Sequence, residues 1–125
     1  MKLSKEATEI IDGRNFAHMA TLMRDGSPQV TPVWIGREGD IILINTTLGR
    51  AKQKNVSRDS RVAISIIDER NPYRNLVIRG RVIEQTQEGA IENINQLSKK
   101  YLGKDYPWPD RNRIIIKIKP EHVNV

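Results

Sequence analysis

Six short runs of apolar and β-branched residues, joined mostly by tight turns, constrain the fold of this chain more than any other feature. The runs occupy residues 16–23, 28–35, 41–45, 61–67, 73–85 and 113–119. Strands joined by tight turns pair antiparallel, because parallel strands need long crossover connections. The pattern therefore predicts a mainly β fold with small helices, built around a six-stranded antiparallel barrel that is closed or nearly closed.

Three short helical segments accompany the strands. Ser4 can cap a first helix that Gly13 ends, and a second helix spans about residues 50–57. Apolar residues at helical spacing predict a third, amphipathic helix over residues 88–102. We expect these helices to cover openings of the barrel, and we expect the 125 residues to form one domain over residues 1–125.

Composition excludes several kinds of chemistry. The chain has no cysteine, so disulfides, thiolate nucleophiles and zinc–thiolate sites are ruled out. His18 and His122 are the only histidines, and neither has ligand spacing to the other or to a carboxylate cluster, so no metal site is expected. No nucleophile has a convincing base. We therefore leave the catalytic residues unassigned and expect a bound cofactor to supply the chemistry.

The amino terminus and the charge predict a soluble protein with an anionic small-molecule ligand. Residues 1–13 are charged and amphipathic, and no run approaches the ~18 apolar residues of a membrane span, so we expect a cytoplasmic protein without membrane contact. The net charge of +6 also permits nucleic acid binding, through a stacking strand with Trp34, Tyr73 and Arg79. Acidic residues are spread along the chain and no basic block forms, so no nucleic acid partner is expected.

Residues 41–55 have the pattern of an anion-binding corner. An apolar strand runs into Thr46 and Thr47, and a glycine then precedes the basic residues Arg50 and Lys52. Threonine hydroxyls, the free N–H groups of a helix's first turn and these cations can together hold a phosphate. Arg50 and Lys52 can share one phosphate only if the helix begins at the residue between them, because on one helix they point about 200° apart. The alternative is a surface amphipathic helix with a solvated basic face.

Three segments in fixed order resemble the flavin-binding split-barrel family. They are MATLMRDGSPQVTPVWI at 19–35, ILINTTLGRAKQKNVSRDSRVAISI at 42–66 and NPYRNLVIRGRVIE at 71–84, within a likeness that covers about residues 5–120. Relatives in this family include pyridoxamine 5′-phosphate oxidase and the deazaflavin-dependent oxidoreductases that use coenzyme F420. The resemblance implies a six-stranded antiparallel split β-barrel that binds FMN or F420.

The resemblance also implies a set of cofactor-binding residues. They are Gln29, Val30, Thr31, Pro32, Val33, Asn45, Thr46, Thr47, Arg50, Lys52, Asn55, Arg74 and Asn75. Residues 29–33 would border the isoalloxazine ring with their backbone, at the interruption that a proline makes in a strand ladder, although an edge-strand proline can equally block aggregation. Residues 45–55 would hold the ring edge and the phosphate. Arg74 and Asn75 match the place where a neighbouring subunit reaches over the ring, so a homodimer is expected.

The expected function is that of an F420- or FMN-dependent oxidoreductase acting on a small organic substrate. The net charge of +6 leans towards F420, which carries the longer anionic tail. Oxidation of vitamin B6 phosphates is not expected, because the true oxidases extend past the final strand whereas this chain ends at Val125. The alternative is a non-catalytic flavin- or haem-binding module, such as a redox sensor. Trp108, in the loop 107–109, is interpreted as a dimer or core anchor rather than a ligand-stacking residue.

Overall fold

The computed structural model describes residues 2–108 and 112–125, and so Pro109 of the Trp108 loop lies outside the described residues. Its elements, in chain order, are α1 (Lys5–Asp12), β1 (Ala17–Leu22), β2 (Pro28–Val33), β3 (Gly36–Glu38), β4 (Ile41–Thr47), α2 (Ala51–Arg58), β5 (Arg61–Asp68), β6 (Asn71–Thr86), α3 (Ala90–Leu102) and β7 (Arg113–Asn124). Within these ranges, every helix is too short or too polar to cross a membrane.

The strands belong to a single antiparallel sheet. Their order is β2-β1-β5-β6-β7-β4-β3, so β2 and β3 are its two edges. These edges are also consecutive in the chain, since only Trp34 and Ile35 separate the end of β2 from the start of β3. Because that link spans at most roughly 10 Å, the sheet must curl until its edges approach each other at this end. The result is a barrel with an open seam between β2 and β3, and the predicted split antiparallel barrel is confirmed.

The predicted strand count of six is wrong by one, because the extra strand lies in a segment that has the composition of a turn. β3 has only three residues, Gly36–Glu38, and it pairs with β4. So short a run, beginning with glycine, carries no alternating pattern. β7 also continues to Asn124, past the expected end at Lys119. Its mostly exposed last residues are held by ladder pairing with β6 rather than by burial.

The core fills the inside of the curled sheet. Its inward-facing strand residues are mostly isoleucine, and they include Ile42, Ile44, Ile64, Ile66, Leu76, Ile78, Ile116 and Ile118. α1 adds its apolar stripe, Ala7, Ile10 and Ile11, to the same cluster. The predicted cap of α1 is confirmed, because the N–H of Ala7 donates to the Ser4 hydroxyl at 3.1 Å.

α3 packs outside the barrel, against β4 and β7. Ile115 on β7 forms a second apolar cluster with Leu43 on β4 and Ala90 on α3. Ile116, the next residue, faces the barrel core, so this part of β7 is buried on both faces. The arrangement explains the unbroken isoleucine run of β7, since a strand covered on both sides has no polar face.

Candidate functional site at the seam of the barrel

A cleft lies where the ends of β2 and β4 and the start of α2 come together. Its volume of about 370 Å³ falls within the range of small-molecule sites. The polar residues that line it are Asn45, Thr46, Thr47, Arg50, Lys52 and Arg113. The aromatic and apolar residues are Phe16, Pro32, Val33, Trp34, Ile94, Tyr106 and Trp108. A ligand with an anionic end and a flat apolar body would match both groups.

The first turn of α2 presents hydrogen-bond donors at the cationic part of the cleft. α2 begins at Ala51, and Arg50 is its extended N-cap residue without a side-chain cap. The N–H groups of residues 51–53 have no acceptor among the described residues. Such groups, together with the positive end of the helix dipole, favour an anion. The helix start between Arg50 and Lys52 that a shared phosphate requires is therefore present, and both side chains line the cleft.

The electrostatics of Lys52 show that positive charge is concentrated here. Burial lowers the pKa of Lys52, and the neighbouring charges of Arg50 and Arg113 lower it further. The described residues that line the cleft include no carboxylate. Like charges held together in a partly desolvated place raise the free energy of the unliganded protein, and a bound anion would relieve this repulsion.

Arg113 is held at the cleft by β4. It is the first residue of β7 and stands opposite Thr47 in the ladder. Its Nε donates to Asn45 Oδ1 at 2.8 Å, and its Nη1 donates to Thr47 Oγ1 at 3.0 Å. The Asn45 amide nitrogen in turn donates to the Ala90 carbonyl at 2.8 Å and to Asn93 Oδ1 at 3.0 Å. Asn45 therefore fixes Arg113 between the sheet and α3.

Five of the six aromatic residues of the chain form one cluster beside these cations. The ring centroids are 5.4 Å apart for Phe16–Tyr101, 5.2 Å for Trp34–Tyr101, 6.2 Å for Trp34–Tyr106 and 5.4 Å for Tyr106–Trp108. The Arg113 guanidinium lies 5.2 Å from the Tyr106 ring centroid and so joins the two parts of the cleft. Trp108 is 60% exposed and Phe16 54% exposed, which leaves aromatic surface available to a flat ligand.

The fold and the cleft can now be compared with known proteins. A family model described as pyridoxamine 5′-phosphate oxidase matches residues 3–125. The chain belongs to the pyridoxamine 5′-phosphate oxidase family.

Several solved structures share the fold of this chain. An F420 reductase superimposes with a TM-score of 0.88 at 29% identity, with 98% of each chain covered. General Stress Protein 26 from Bacillus anthracis gives 0.72 at 18% identity, covering 95% of this chain and 89% of that one. An FAD-binding protein from Mesorhizobium loti gives 0.68 at 17% identity, covering 97% and 92%. No curated protein sequence matches significantly.

In this cleft, the structure brings together about half of the residues predicted to bind the cofactor. They are Pro32, Val33, Asn45, Thr46, Thr47, Arg50 and Lys52. Gln29, Val30 and Thr31 lie further back along β2, outside the lining of the cleft. Val30 is 63% exposed, whereas the Thr31 hydroxyl is buried without a hydrogen-bond partner among the described residues.

Three other predicted residues also lie away from the cleft of their own chain. Asn55 is buried, and its Nδ2 donates to Thr21 Oγ1 at 2.9 Å, which ties α2 to β1. Arg74 is surrounded by carboxylates, with nitrogen–oxygen distances of 3.5 Å to Glu6, 3.0 Å to Glu9 and 3.1 Å to Asp68. Asn75 is exposed on β6.

Sequence reasoning missed Arg113 and most of the aromatic residues that line the cleft. A signal for Arg113 existed, since an arginine that opens an isoleucine run must find polar partners when the strand is buried. The aromatic residues lie far apart in the chain and gave no local pattern. Trp108 is not a core residue but an exposed residue at the cleft.

Proposed function

We propose that this chain is an oxidoreductase that binds a phosphorylated flavin-type cofactor, F420 or FMN, in the cleft. It would exchange hydride or electrons with a small organic substrate. The observation that carries the proposal is the convergence of Arg50, Lys52 and Arg113 next to an aromatic cluster. A phosphate group requires the first feature and a planar isoalloxazine requires the second, and one cleft of about 370 Å³ offers both.

The residues present fit such a cofactor by their chemistry. Arg50, Lys52 and the free N–H groups at the start of α2 would hold the phosphate, with the hydroxyls of Thr46 and Thr47 beside them. Trp34 and the neighbouring rings would exclude water from the ring. When bound, the cofactor supplies the hydride or electron chemistry, which no side chain of the cleft can supply itself.

F420 is the favoured cofactor of the two. An F420 reductase resembles the chain over 98% of its length, with a TM-score of 0.88. The net charge of +6 suits the longer anionic tail of F420. FMN carries a phosphate at the same position and would use the same cations, so the choice depends on binding measurements.

We further propose that the active form is a homodimer in the cytoplasm, joined through the outer face of the sheet. Val30, Ala20 and Ala63 lie in one cross-strand row of that face, and Val77 and Ile67 stand on neighbouring strands. Val30 is 63% exposed and Ile67 is 50% exposed, so this part of the face combines apolar side chains with small ones and suits a second sheet, and the exposed Arg79 continues the row on β6. In the dimer, Arg74 and Asn75 would approach the partner's cofactor. Sedimentation equilibrium of the protein and of Val30→Lys tests this, because the charged variant should be monomeric.

The cofactor assignment is tested by direct binding. The purified protein is examined for a visible spectrum, any ligand is released by denaturation, and the apo form is titrated with F420 and with FMN by fluorescence. We expect micromolar or tighter binding of F420 and weaker binding of FMN. Binding of neither would show that the oxidoreductase proposal is wrong.

A second candidate, a non-catalytic flavin- or haem-binding module, is favoured by one observation. The described residues that line the cleft include no histidine, aspartate or glutamate to act as a general acid or base. Steady-state consumption of the reduced cofactor with a panel of quinone-like and unsaturated acceptors separates the two functions. Turnover above the rate of the free cofactor supports the enzyme, whereas tight binding without such turnover supports the module.

A further inference from the structure

The link between β2 and β3 has buried backbone groups that no strand pairs. Ile35, in this link, is fully buried. Because the barrel is open here, the ladder provides no partner for its N–H and C=O groups, and buried backbone groups left unpaired are costly. Side chains of α3 fill this gap.

Two consecutive residues at the end of α3 supply both hydrogen bonds. The Ile35 N–H donates to Tyr101 Oη at 3.2 Å, and Lys100 Nζ donates to the Ile35 carbonyl at 2.8 Å. Tyr101 Oη also donates to the Asn15 carbonyl at 2.6 Å, and Lys100 Nζ to the Ile11 carbonyl at 2.6 Å. These two side chains therefore connect α3, the end of α1 and the link across the seam.

The same pair lies beside an aromatic residue of the cleft wall. Trp34 immediately precedes Ile35, lines the cleft, and stacks on Tyr101 with a centroid distance of 5.2 Å and an interplanar angle of 8°. Tyr101 is only 2% exposed, so it offers a rigid support. The Lys100 ammonium lies 4.9 Å from the Tyr101 ring centroid, and burial lowers the pKa of Lys100 to about 8.

We infer that Tyr101 and Lys100 are positioning residues that hold Trp34 in the cleft wall, so that its indole can stack on the planar ring of the cofactor. This inference rests on the proposed function. The inference places neither Tyr101 nor Lys100 in contact with the phosphate, which would bind at the cations of α2. The two residues should therefore affect ring affinity and leave phosphate affinity unchanged, a separation that a general loss of stability would not produce.

The experiment measures ring affinity and phosphate affinity separately. Riboflavin and the phosphate-free deazaflavin report the ring, and inorganic phosphate, measured by calorimetry, reports the anion site. The variants are Tyr101→Phe, which keeps the stacked ring but removes the hydroxyl, and Lys100→Met, which keeps the aliphatic stem. Lys99→Met is the control, since Lys99 is an exposed lysine on the same turn of α3.

We expect each test variant to weaken ring binding about fivefold, the effect of losing its hydrogen bond to Ile35, with phosphate binding unchanged and the control like wild type. In a Trp34→Ala background, Tyr101→Phe should have no further effect on ring affinity, because the residue acts through Trp34. Equal losses in ring and phosphate affinity, or no loss in either, would overturn the inference.

A measurement without ligand separates this inference from the proposed function. In a Trp108→Phe background, Trp34 is the only tryptophan, and acrylamide quenching reports its exposure. Tyr101→Phe and Lys100→Met should increase the quenching and Lys99→Met should not. If the wild-type protein binds no ring and no phosphate, the proposed function fails, and quenching alone decides whether the two residues position Trp34. Unchanged quenching would show that they do not.

Discussion

The cleft and a second hollow of this molecule both contain basic residues, but the neighbours of these residues differ. In the second hollow the neighbours are carboxylates, whereas at the cleft they are other cations. The second hollow lies between α1 and the turn that joins β5 to β6, and its charged lining is Glu9, Asp12, Arg14, Asp68, Glu69, Arg70 and Arg74. There, the hydrogen bonds that the Arg74 guanidinium donates to Asp68 and Glu9 raise the pKa of Arg74. At the cleft, burial and two neighbouring cations lower the pKa of Lys52.

The difference teaches how to separate structural cations from binding cations. Arg74 is paired with carboxylates of its own chain, so within that chain its charge stabilises the contact between α1 and the β5–β6 turn, and it would approach a partner's cofactor only as a member of these ion pairs. Arg50 and Lys52 share a cleft whose described lining contains no carboxylate, and under the proposed function a bound anion supplies the compensating charge. A basic residue in a motif therefore indicates an anion-binding site only when the carboxylates around it are also known.

The largest expected effect is loss of cofactor binding when the cleft cations are removed. The double variant Arg50→Met/Lys52→Met should weaken F420 or FMN binding by on the order of 100-fold, since two charge-assisted hydrogen bonds to phosphate are lost. The matched control, Lys54→Met/Lys99→Met, removes the same charge from exposed positions. Fluorescence titration provides the affinities. Equal losses in both double variants would mean that only net charge matters and that the cleft holds no specific phosphate site.

Arg74→Met tests the other half of the comparison. Loss of the guanidinium leaves Asp68, which is only 5% exposed, with the Arg70 N–H but without its ion-pair partner at 3.1 Å, so we expect the melting temperature to fall by several degrees. Affinity for inorganic phosphate should stay unchanged. Arg70→Met is the control, because its side chain is 91% exposed and 3.9 Å from Asp68. A wild-type melting temperature for Arg74→Met would mean that the ion pairs add nothing.

Local signals predicted those parts of the fold that depend on neighbours in sequence. The cap at Ser4, the end of α1 at Gly13 and a short helix close to the predicted residues 50–57 are all present, because capping and turn geometry act over a few residues. β3 was missed because its three residues are held by the β4 ladder rather than by their own pattern. The seam that creates the cleft follows from strand order, which no single segment encodes.

The candidate site was predictable only in its contiguous part. One short stretch of the chain supplies four residues of the cleft lining, which are Thr46, Thr47, Arg50 and Lys52. Arg113 reaches the same place from a position 66 residues beyond Thr47. The aromatic wall likewise joins the segment before β1, the β2–β3 link, α3 and the loop after α3. Such contacts depend on tertiary packing, so local motifs contain no information about them.

A smaller effect is expected when pH changes the charge of Lys52. Its pKa in the unliganded protein is below the usual 10.5, and a bound phosphate dianion favours the protonated form, so binding takes up a proton in the alkaline range. Affinity should therefore fall as the pH rises through the lowered pKa. Lys52→Arg keeps its charge throughout and should give a flat profile. Parallel profiles for the two proteins would mean that another group titrates.

The smallest expected effect is an acid sensitivity that belongs to the second hollow. The Arg70 N–H and then the Arg74 guanidinium hold the pKa of Asp68 below its usual 3.8. A carboxyl group whose folded pKa is depressed contributes stability that is fully present above its unfolded pKa and is lost as the pH falls through the folded one. The stability advantage of wild type over Asp68→Asn should thus be constant near neutral pH and shrink below about pH 4. Urea unfolding at a series of pH values measures this difference. An advantage that persists undiminished to pH 2 would show that the carboxyl group gains nothing from its charge, and the contrast between the cations of the two hollows would then lose its electrostatic basis here.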